Sequence, residues 1–116
     1  MRYQICVSGA ASGPSAMASK DLAFRLGKEI SRQGKTLTTG ATVGLPHYAA
    51  MGAVSVKGRK GLSVGFSPAS SFRQHIKTYR LPFEPFDYIN FTGMGYVGRD
   101  AHLVLSSDAV ITVGGR

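Results

Sequence analysis

Cysteine, acidic residues and long apolar runs are scarce in this sequence of 116 residues. Cys6 is the single cysteine, so no disulfide forms within the chain, and its place in an apolar run predicts a buried, inert thiol. One cysteine and three scattered histidines give no metal-ligand spacing, and we expect no metal site. The interrupted apolar runs exclude a membrane-spanning helix of about 18 residues. The first residues, MRYQICVSGAASG, do not form a signal peptide, so we expect a cytoplasmic protein.

Acidic residues number 6 against 14 Lys and Arg, which gives a net charge of +8. Every Lys and Arg except Arg99 and Arg116 lies in residues 1–80, beside only Asp21 and Glu29. A basic domain attracts anions, whether nucleotides, nucleic acid or an acidic partner. Because these cations are scattered along the chain, a solvated basic face is the alternative interpretation.

The composition is that of a folded domain. Hydrophobic residues make up 43% and charged residues 17%, a mixture that excludes disorder. The length suffices for one hydrophobic core and is too short for two, which predicts a single domain over 1–116.

Short apolar runs alternate with helical patterns along the chain. Five runs predict strands: Tyr3–Ser8, Lys35–Thr39, Gly61–Ser67, Tyr88–Phe91 and Ala109–Val113. Helices are predicted over a stripe formed by Ala18, Leu22, Leu26 and Ile30, over 47–57, and over Tyr96–Ser106 with Leu103 and Val104 facing inward. After Pro68 we expect a polar connection to about Arg80.

This order of elements predicts an α/β fold. We expect a Rossmann-like three-layer sandwich with a mostly parallel sheet of about five strands and helices on both faces. The sequence stops at the glycine turn after the fifth predicted strand, and a parallel strand without a covering helix leaves a bare face. We therefore expect a C-terminally truncated piece, or another element over that face; a frayed tail at Val113–Arg116 is the alternative.

Glycine follows four of the predicted strands, at Gly9, Gly40, Gly93 and Gly114. Ligands of open α/β sheets bind outside the carboxyl ends of the strands, where glycine allows close backbone approach and helix N-termini attract anions. The pattern therefore predicts one rim for a phosphate-bearing ligand.

The first loop reads SGAASG at 8–13. Ala11 replaces the second glycine of G-x-G-x-x-G, and Thr38 and Thr39 stand where an acidic residue would hold a ribose, so a dinucleotide site is not expected. Two interpretations of this loop remain: it binds a phosphate or nucleotide, or it is a structural turn. The predicted ligand contacts are Gly9, Ala10, Ser12 and Gly13.

The second loop, 39–47, supplies hydroxyl groups and glycines but no Walker lysine. His47 suits a capping or packing role better than anion contact. The predicted contacts here are Thr39, Gly40, Ala41, Thr42, Gly44, Leu45 and Pro46.

The third loop reads TGMGYVGRD at 92–100. Arg99 suits a bidentate phosphate clamp, or alternatively an ion pair with the adjacent loop or with Asp108. Tyr96 suits stacking on a base or ordinary packing. Asp100 is the carboxylate best placed to act as a base. The predicted contacts are Gly93, Tyr96, Arg99 and Asp100, with Gly114 and Gly115 after the fifth strand.

Six segments in order resemble the Lonely Guy (LOG) superfamily of lysine decarboxylase-like Rossmann proteins, nearest its molybdenum-cofactor carrier branch. They are SGAASG (8–13), TTGATVGLPHYAA (38–50), SPAS (67–70), the LP…FD segment (81–87), TGMGYVGRD (92–100) and SSDAVITVGG (106–115). The end of the chain at 114–116 resembles the opening of the superfamily's GGxGTxxE loop, whose remainder is absent here.

The resemblance implies a binding or carrier protein for a phosphate-bearing molecule, either the molybdenum cofactor or a nucleotide such as AMP. It also implies a homo-oligomer, a dimer or tetramer. The superfamily's phosphoribohydrolases, which cleave nucleoside monophosphates, use an arginine that Arg99 matches, but Asp100 replaces their lysine and Val113 their proline. Hydrolysis is therefore the alternative function, with Arg99 as its catalytic residue. Single-stranded nucleic-acid binding is a third, and it requires aromatic residues interleaved with cations on one surface.

Overall fold

Five strands form one parallel sheet in the computed structural model, which describes residues 3–114 apart from the side chain of Ser15. The strands are β1 (Gln4–Gly9), β2 (Thr36–Thr39), β3 (Ser63–Ser67), β4 (Tyr88–Phe91) and β5 (Ala109–Val113). Their order is β4-β3-β2-β1-β5, and every neighbouring pair is parallel. Each predicted strand is present within two residues of its predicted bounds.

Helices cover the sheet on both faces, which confirms the predicted three-layer α/β class. They are α1 (Pro14–Ala18), α2 (Lys20–Arg32), α3 (Leu45–Val54), α4 (Phe72–Lys77) and α5 (Gly95–Leu105). Successive side chains of a strand point to opposite faces of the sheet, so the hydrophobic core has two parts, one on each face. Val7 and Leu37 pack with α2 and α3, whereas Cys6 and Phe66 pack against Leu103 of α5 on the other face. No helix among the described residues is long and apolar enough to span a membrane.

The buried face of α2 differs from the predicted stripe. Leu22 is 52% exposed, whereas Ala23, Gly27 and Ile30 are buried. The reason is the close packing of α2 on α3: a Cβ at Gly27 would collide with the backbone of Ala49. Small residues therefore face the neighbouring helix. The predicted stripe was wrong at Leu22 and also at Ala18, which is exposed and belongs to the separate helix α1.

Two other predictions need correction. The connection after Pro68 contains the short helix α4, which begins after Ser71 because the Ser71 hydroxyl accepts a hydrogen bond from the Gln74 amide, 3.1 Å away. Val104, predicted to face inward, is half exposed, because α5 directs Leu103 and Arg99 toward the sheet instead.

An ion pair joins the loop before β3 to the loop before β4. Arg59 donates to both carboxylate oxygens of Asp87 at 2.5 and 2.7 Å, and the Ser63 amide donates to Asp87 Oδ2 at 2.7 Å. The Arg59 hydrogen bond is the main cause that lowers the pKa of Asp87, and burial opposes it. The pair therefore adds stability that is present above the unfolded-state pKa of about 3.9 and is lost as pH falls through the lower folded value.

We expect Asp87→Asn to lower the free energy of unfolding by about 1–2 kcal/mol at neutral pH, because it weakens a charge-assisted pair. The difference between variant and wild type should begin to shrink as pH falls below about 3.9 and should disappear below the lower folded-state pKa of Asp87. Urea unfolding at several pH values measures this. Glu84→Gln is the control, since Glu84 is exposed and makes no ion pair within residues 3–114. A loss of stability in Asp87→Asn that persists at acid pH would contradict the ion pair with Arg59 as its cause.

Candidate functional site

A cleft of about 730 Å³ lies at the carboxyl ends of β1 and β2 and along α5. This volume is in the range of small-molecule sites, about 300–1,000 Å³. The structure brings nine of the predicted contacts together in its lining: Gly9, Ala10, Ser12, Gly40, Thr42, Pro46, Tyr96, Arg99 and Asp100.

Other predicted contacts lie elsewhere. Outside the cleft lining are Gly13, Thr39, Ala41, Gly44, Leu45, Gly93 and Gly114, while Gly115 falls outside the described residues. Strand order is the reason for Gly93, because β4 occupies the edge of the sheet opposite β1 and β5, whose residues line the cleft. The Gly93 amide instead donates to the Ala69 carbonyl at 2.9 Å.

The cleft also has a wall formed by β1, β5 and α5 that sequence reasoning missed. Along the parallel pair β1–β5, Cys6 lies beside Val110 and Ser8 beside Thr112, and all four line the cleft. Leu103 and Val104 of α5 complete this wall. Alternation within β1 indicates which residues share a face, but only the pairing with β5 shows what lies beside them.

The first two loops are tied to each other. The Leu45 amide donates to the Ala10 carbonyl at 3.0 Å, and Gly44 has a φ of 84° with its backbone against Ala11. Thr39 is buried, and its hydroxyl accepts from the Ala41 amide at 3.2 Å. Thr39 therefore shapes the loop, while the hydroxyls of Ser12 and Thr42 have no hydrogen-bond partner within residues 3–114.

Arg99 connects the third loop to the second. Its guanidinium is buried, and Nη1 donates to the carbonyls of Gly40 and Phe66, the latter at 3.2 Å. Nε donates to Asp100 Oδ1 at 2.6 Å, and the Tyr96 ring lies 5.4 Å from the guanidinium carbon. Within the described residues, the two N–H groups of Nη2 have no partner and remain available to an anion.

Neither ion pair considered for Arg99 is present among the described residues: its carboxylate partner is Asp100, the next residue of α5, and it reaches the second loop through the Gly40 carbonyl. Asp108 accepts from the Gln4 amide at 2.7 Å, so it anchors the start of β1 instead. A Cβ at Gly40 would overlap Arg99 Nη1, and a Cβ at Gly9 would lie 2.6 Å from the Val113 carbonyl. These two glycines make room for protein atoms.

Cys6 is buried, as predicted, and it contributes to the lining of the cleft. Burial raises the pKa of its thiol more strongly than a hydrogen bond with Thr38 lowers it. Thr38 itself bonds to the Ser107 hydroxyl at 2.8 Å. The thiol is therefore protonated at neutral pH.

His47 lies apart from the cleft, in a groove of about 520 Å³ that also contains Glu84. Burial lowers the pKa of His47, and its Nδ1 has no partner within the described residues. Its position in the first turn of α3 is compatible with the predicted packing role.

A buried polar pair that sequence reasoning did not identify holds α4 against β3. His75 is fully buried, its Nδ1 is 2.7 Å from the Ser67 hydroxyl, and its Nε2 is 2.7 Å from the Pro82 carbonyl. Because a carbonyl can only accept, Nε2 carries a hydrogen and donates to Pro82, while Nδ1 pairs with the Ser67 hydroxyl. Full burial makes this a structural pair.

Comparison with known proteins gives a consistent family and fold. The model of the SLOG cluster4 family matches residues 2–116. The chain is similar to the molybdenum cofactor binding protein of Rippkaea orientalis, with 29% identity and a TM-score of 0.80 over all of this chain and 64% of that one. It is similar to the Moco carrier protein of Chlamydomonas reinhardtii, with 27% identity and a TM-score of 0.79 over all of this chain and 64% of that one.

A more distant likeness concerns the fold alone. DNA processing protein A of Helicobacter pylori has 19% identity and a TM-score of 0.62 over 95% of this chain and 53% of that chain. No curated protein matches the sequence. The chain spans less than two thirds of the length of the cofactor-binding relatives, at 64%.

Proposed function

Because the chain belongs to the SLOG cluster4 family, we propose that it binds and carries a phosphate-bearing small molecule in this cleft, without converting it. The observation that carries the proposal is the combination of two unpartnered hydroxyls and the free Nη2 of Arg99 in one cleft of ligand size. The likeness to molybdenum cofactor binding proteins supports that cofactor as the cargo, and a nucleotide such as AMP is the other ligand of this class.

The lining of the cleft supplies polar groups and apolar side chains for the two parts of such a molecule. Ser12 and Thr42 offer hydroxyl donors to a phosphate, and Arg99 adds a positive charge that is always present. The apolar side chains of Leu103 and Val110 suit the flat face of a pterin or purine ring. With molybdenum cofactor as the cargo, the residues of this cleft would hold it and shield it from solvent, and the redox chemistry would be that of the cofactor itself.

We expect Ser12→Ala combined with Thr42→Val to weaken binding of AMP about tenfold, because each lost hydrogen bond contributes about 0.5–1.5 kcal/mol. Isothermal titration measures this, and native mass spectrometry of the purified protein identifies any molecule it retains. The matched control is Ser106→Ala with Thr78→Val, two residues outside the cleft lining. Equal weakening by the control pair, or neither AMP binding nor a retained phosphate compound, would refute the proposal.

Incubation of the protein with AMP distinguishes a carrier from a phosphoribohydrolase. We expect no free adenine, because Nε and Nη1 of Arg99 are already bonded to Asp100 and backbone carbonyls. In addition, the phosphoribohydrolases that this sequence resembles have a lysine at the position of Asp100. If the wild type releases adenine and Arg99→Lys does not, the protein is a phosphoribohydrolase and the carrier function is rejected.

We also propose that a second copy of the chain packs on α5. Val97 and Leu105 are each 86% exposed and lie four residues to either side of Ala101, so a two-fold axis at Ala101 in an antiparallel pair brings Val97 level with Leu105 of the other copy. The charged residues of α5, Arg99 and Asp100, form an ion pair with each other, so the net charge of +8 lies outside this helix and two copies meet here with little repulsion.

We expect Val97→Asp with Leu105→Asp to convert an oligomer into a monomer in sedimentation velocity at micromolar concentration, because burying carboxylates opposes association. Leu22→Asp with Met17→Asp is the control, since these exposed apolar residues lie on α1 and α2. A monomeric wild-type protein would exclude the interface.

A further inference from the structure

A second surface of the molecule combines exposed aromatic rings with cations and is independent of the function proposed above. Phe72 is 52% exposed and Phe83 is 49% exposed, and their ring centroids lie 5.7 Å apart at an interplanar angle of 67°. The Phe91 ring supports Phe72 from the edge strand β4, at 6.3 Å and 90°. Half-exposed rings held by a third ring form a firm apolar platform.

The backbone beneath this platform is well held. Ser71 caps α4, and the Ser70 amide donates to Gln74 Oε1 at 2.6 Å. The buried His75 anchors the helix to Ser67 and to the Pro82 carbonyl. Phe72 therefore stands on a short helix fixed at its start and middle, and Phe83 follows Pro82, whose carbonyl is held by His75.

The same segment carries a concentrated positive charge. Residues 72–83 contain Arg73, Lys77 and Arg80 and no acidic residue. All three cations are exposed, and none pairs with a carboxylate of residues 3–114. Arg73 and Lys77 share one side of α4 because they are four residues apart. Arg80 has a φ of 54°, an uncommon conformation for a residue with a side chain.

We propose that the surface of residues 72–83 binds single-stranded nucleic acid. Exposed rings offer stacking to unpaired bases of any sequence, and the cations follow the phosphates. A duplex hides its base faces and uses the charge alone, and the carboxylates of an acidic peptide contact the cations but not the rings. This combination of rings and cations is what the sequence analysis required of a nucleic-acid surface.

The surface also reaches toward the cleft. The Tyr79 ring contacts the Tyr96 ring at 5.4 Å, and Tyr96 lines the cleft and is half exposed. A strand on the platform would therefore extend along these rings, while the cleft itself keeps its own set of ligand groups.

The test measures fluorescence anisotropy of a labelled oligothymidylate of about 15 nucleotides with the whole chain at low salt. We expect the logarithm of the association constant to fall with the logarithm of salt concentration with a slope of about −2, since three neutralised phosphates each contribute about −0.7 on a single strand. Phe72→Leu with Phe83→Leu should weaken binding about tenfold. Arg73→Gln, Lys77→Gln and Arg80→Gln together should weaken it at least as much and flatten the slope.

Matched controls separate this surface from general charge. Arg25→Gln, Lys28→Gln and Arg32→Gln remove the same charges from α2, and Tyr88→Leu removes a ring that is 59% exposed at the start of β4. Both should bind nearly as wild type, and circular dichroism checks that each variant is folded. Absent binding by the wild type, equal losses in the controls, or equal affinity for duplex DNA would overturn the proposal, as would a preference for phosphatidylserine vesicles that depends on Phe72.

Discussion

Gly27→Ala is expected to lower the free energy of unfolding by about 2 kcal/mol, although alanine is the better helix former by about 1 kcal/mol. A Cβ at Gly27 would overlap the backbone carbonyl of Ala49, and a Cβ at Gly52 would overlap that of Phe24. Backbone atoms cannot turn aside as a side chain can, so α2 and α3 would have to separate. That separation would open the core that α3 forms with Val7 and Leu37.

Urea unfolding followed by circular dichroism measures the loss. Gly52→Ala should behave like Gly27→Ala, and the two together should cost less than the sum, because one separation of the helices relieves both contacts. Lys28→Ala is the control, an exposed position on the same helix where changes stay within about 0.5 kcal/mol. An unchanged or higher stability of Gly27→Ala would show that the helices do not pack this closely.

Arg99→Leu is expected to lower the free energy of unfolding by about 3 kcal/mol. The guanidinium is buried, and its removal leaves the carbonyls of Gly40 and Phe66 without their donor. Each such buried group costs about 1–3 kcal/mol. Arg99→Lys keeps the charge but lacks the planar set of donors, so its loss should be intermediate.

Gly40→Ala should mimic the loss of Arg99, because the added methyl occupies the place of Nη1. A double-mutant cycle with Arg99→Leu tests this directly. If Gly40 serves the guanidinium, then Gly40→Ala costs little once Arg99 is leucine. Additive losses would instead indicate that Gly40 is required for a reason other than Arg99. Titration with AMP in parallel distinguishes a collapsed loop from a lost phosphate contact.

The glycines show where sequence reasoning succeeds and where it stops. Glycine after a strand correctly marked the ends of β1 and β2 at the cleft. The reason differs from the predicted one, since Gly9 accommodates Val113 and Gly40 accommodates Arg99. Within helices, Gly27 and Gly52 are needed for the close packing of α2 on α3. No local pattern in the sequence distinguishes them from helical glycines that have no such contact. Contacts between residues distant in the chain decide each case.

By itself, the sequence determined the alternation of strands and helices, the parallel sheet and the approximate bounds of each strand, because apolar periodicity and glycine turns are local properties of the chain. It also located nine residues of the cleft. Only the tertiary structure decided that Gly93 and Gly114 lie at opposite edges, that α2 buries Gly27 instead of Leu22, and that the guanidinium of Arg99 holds Gly40. The physical reason is that strand order and close packing depend on pairs of residues far apart in sequence, whose contact leaves no periodic signal in either segment.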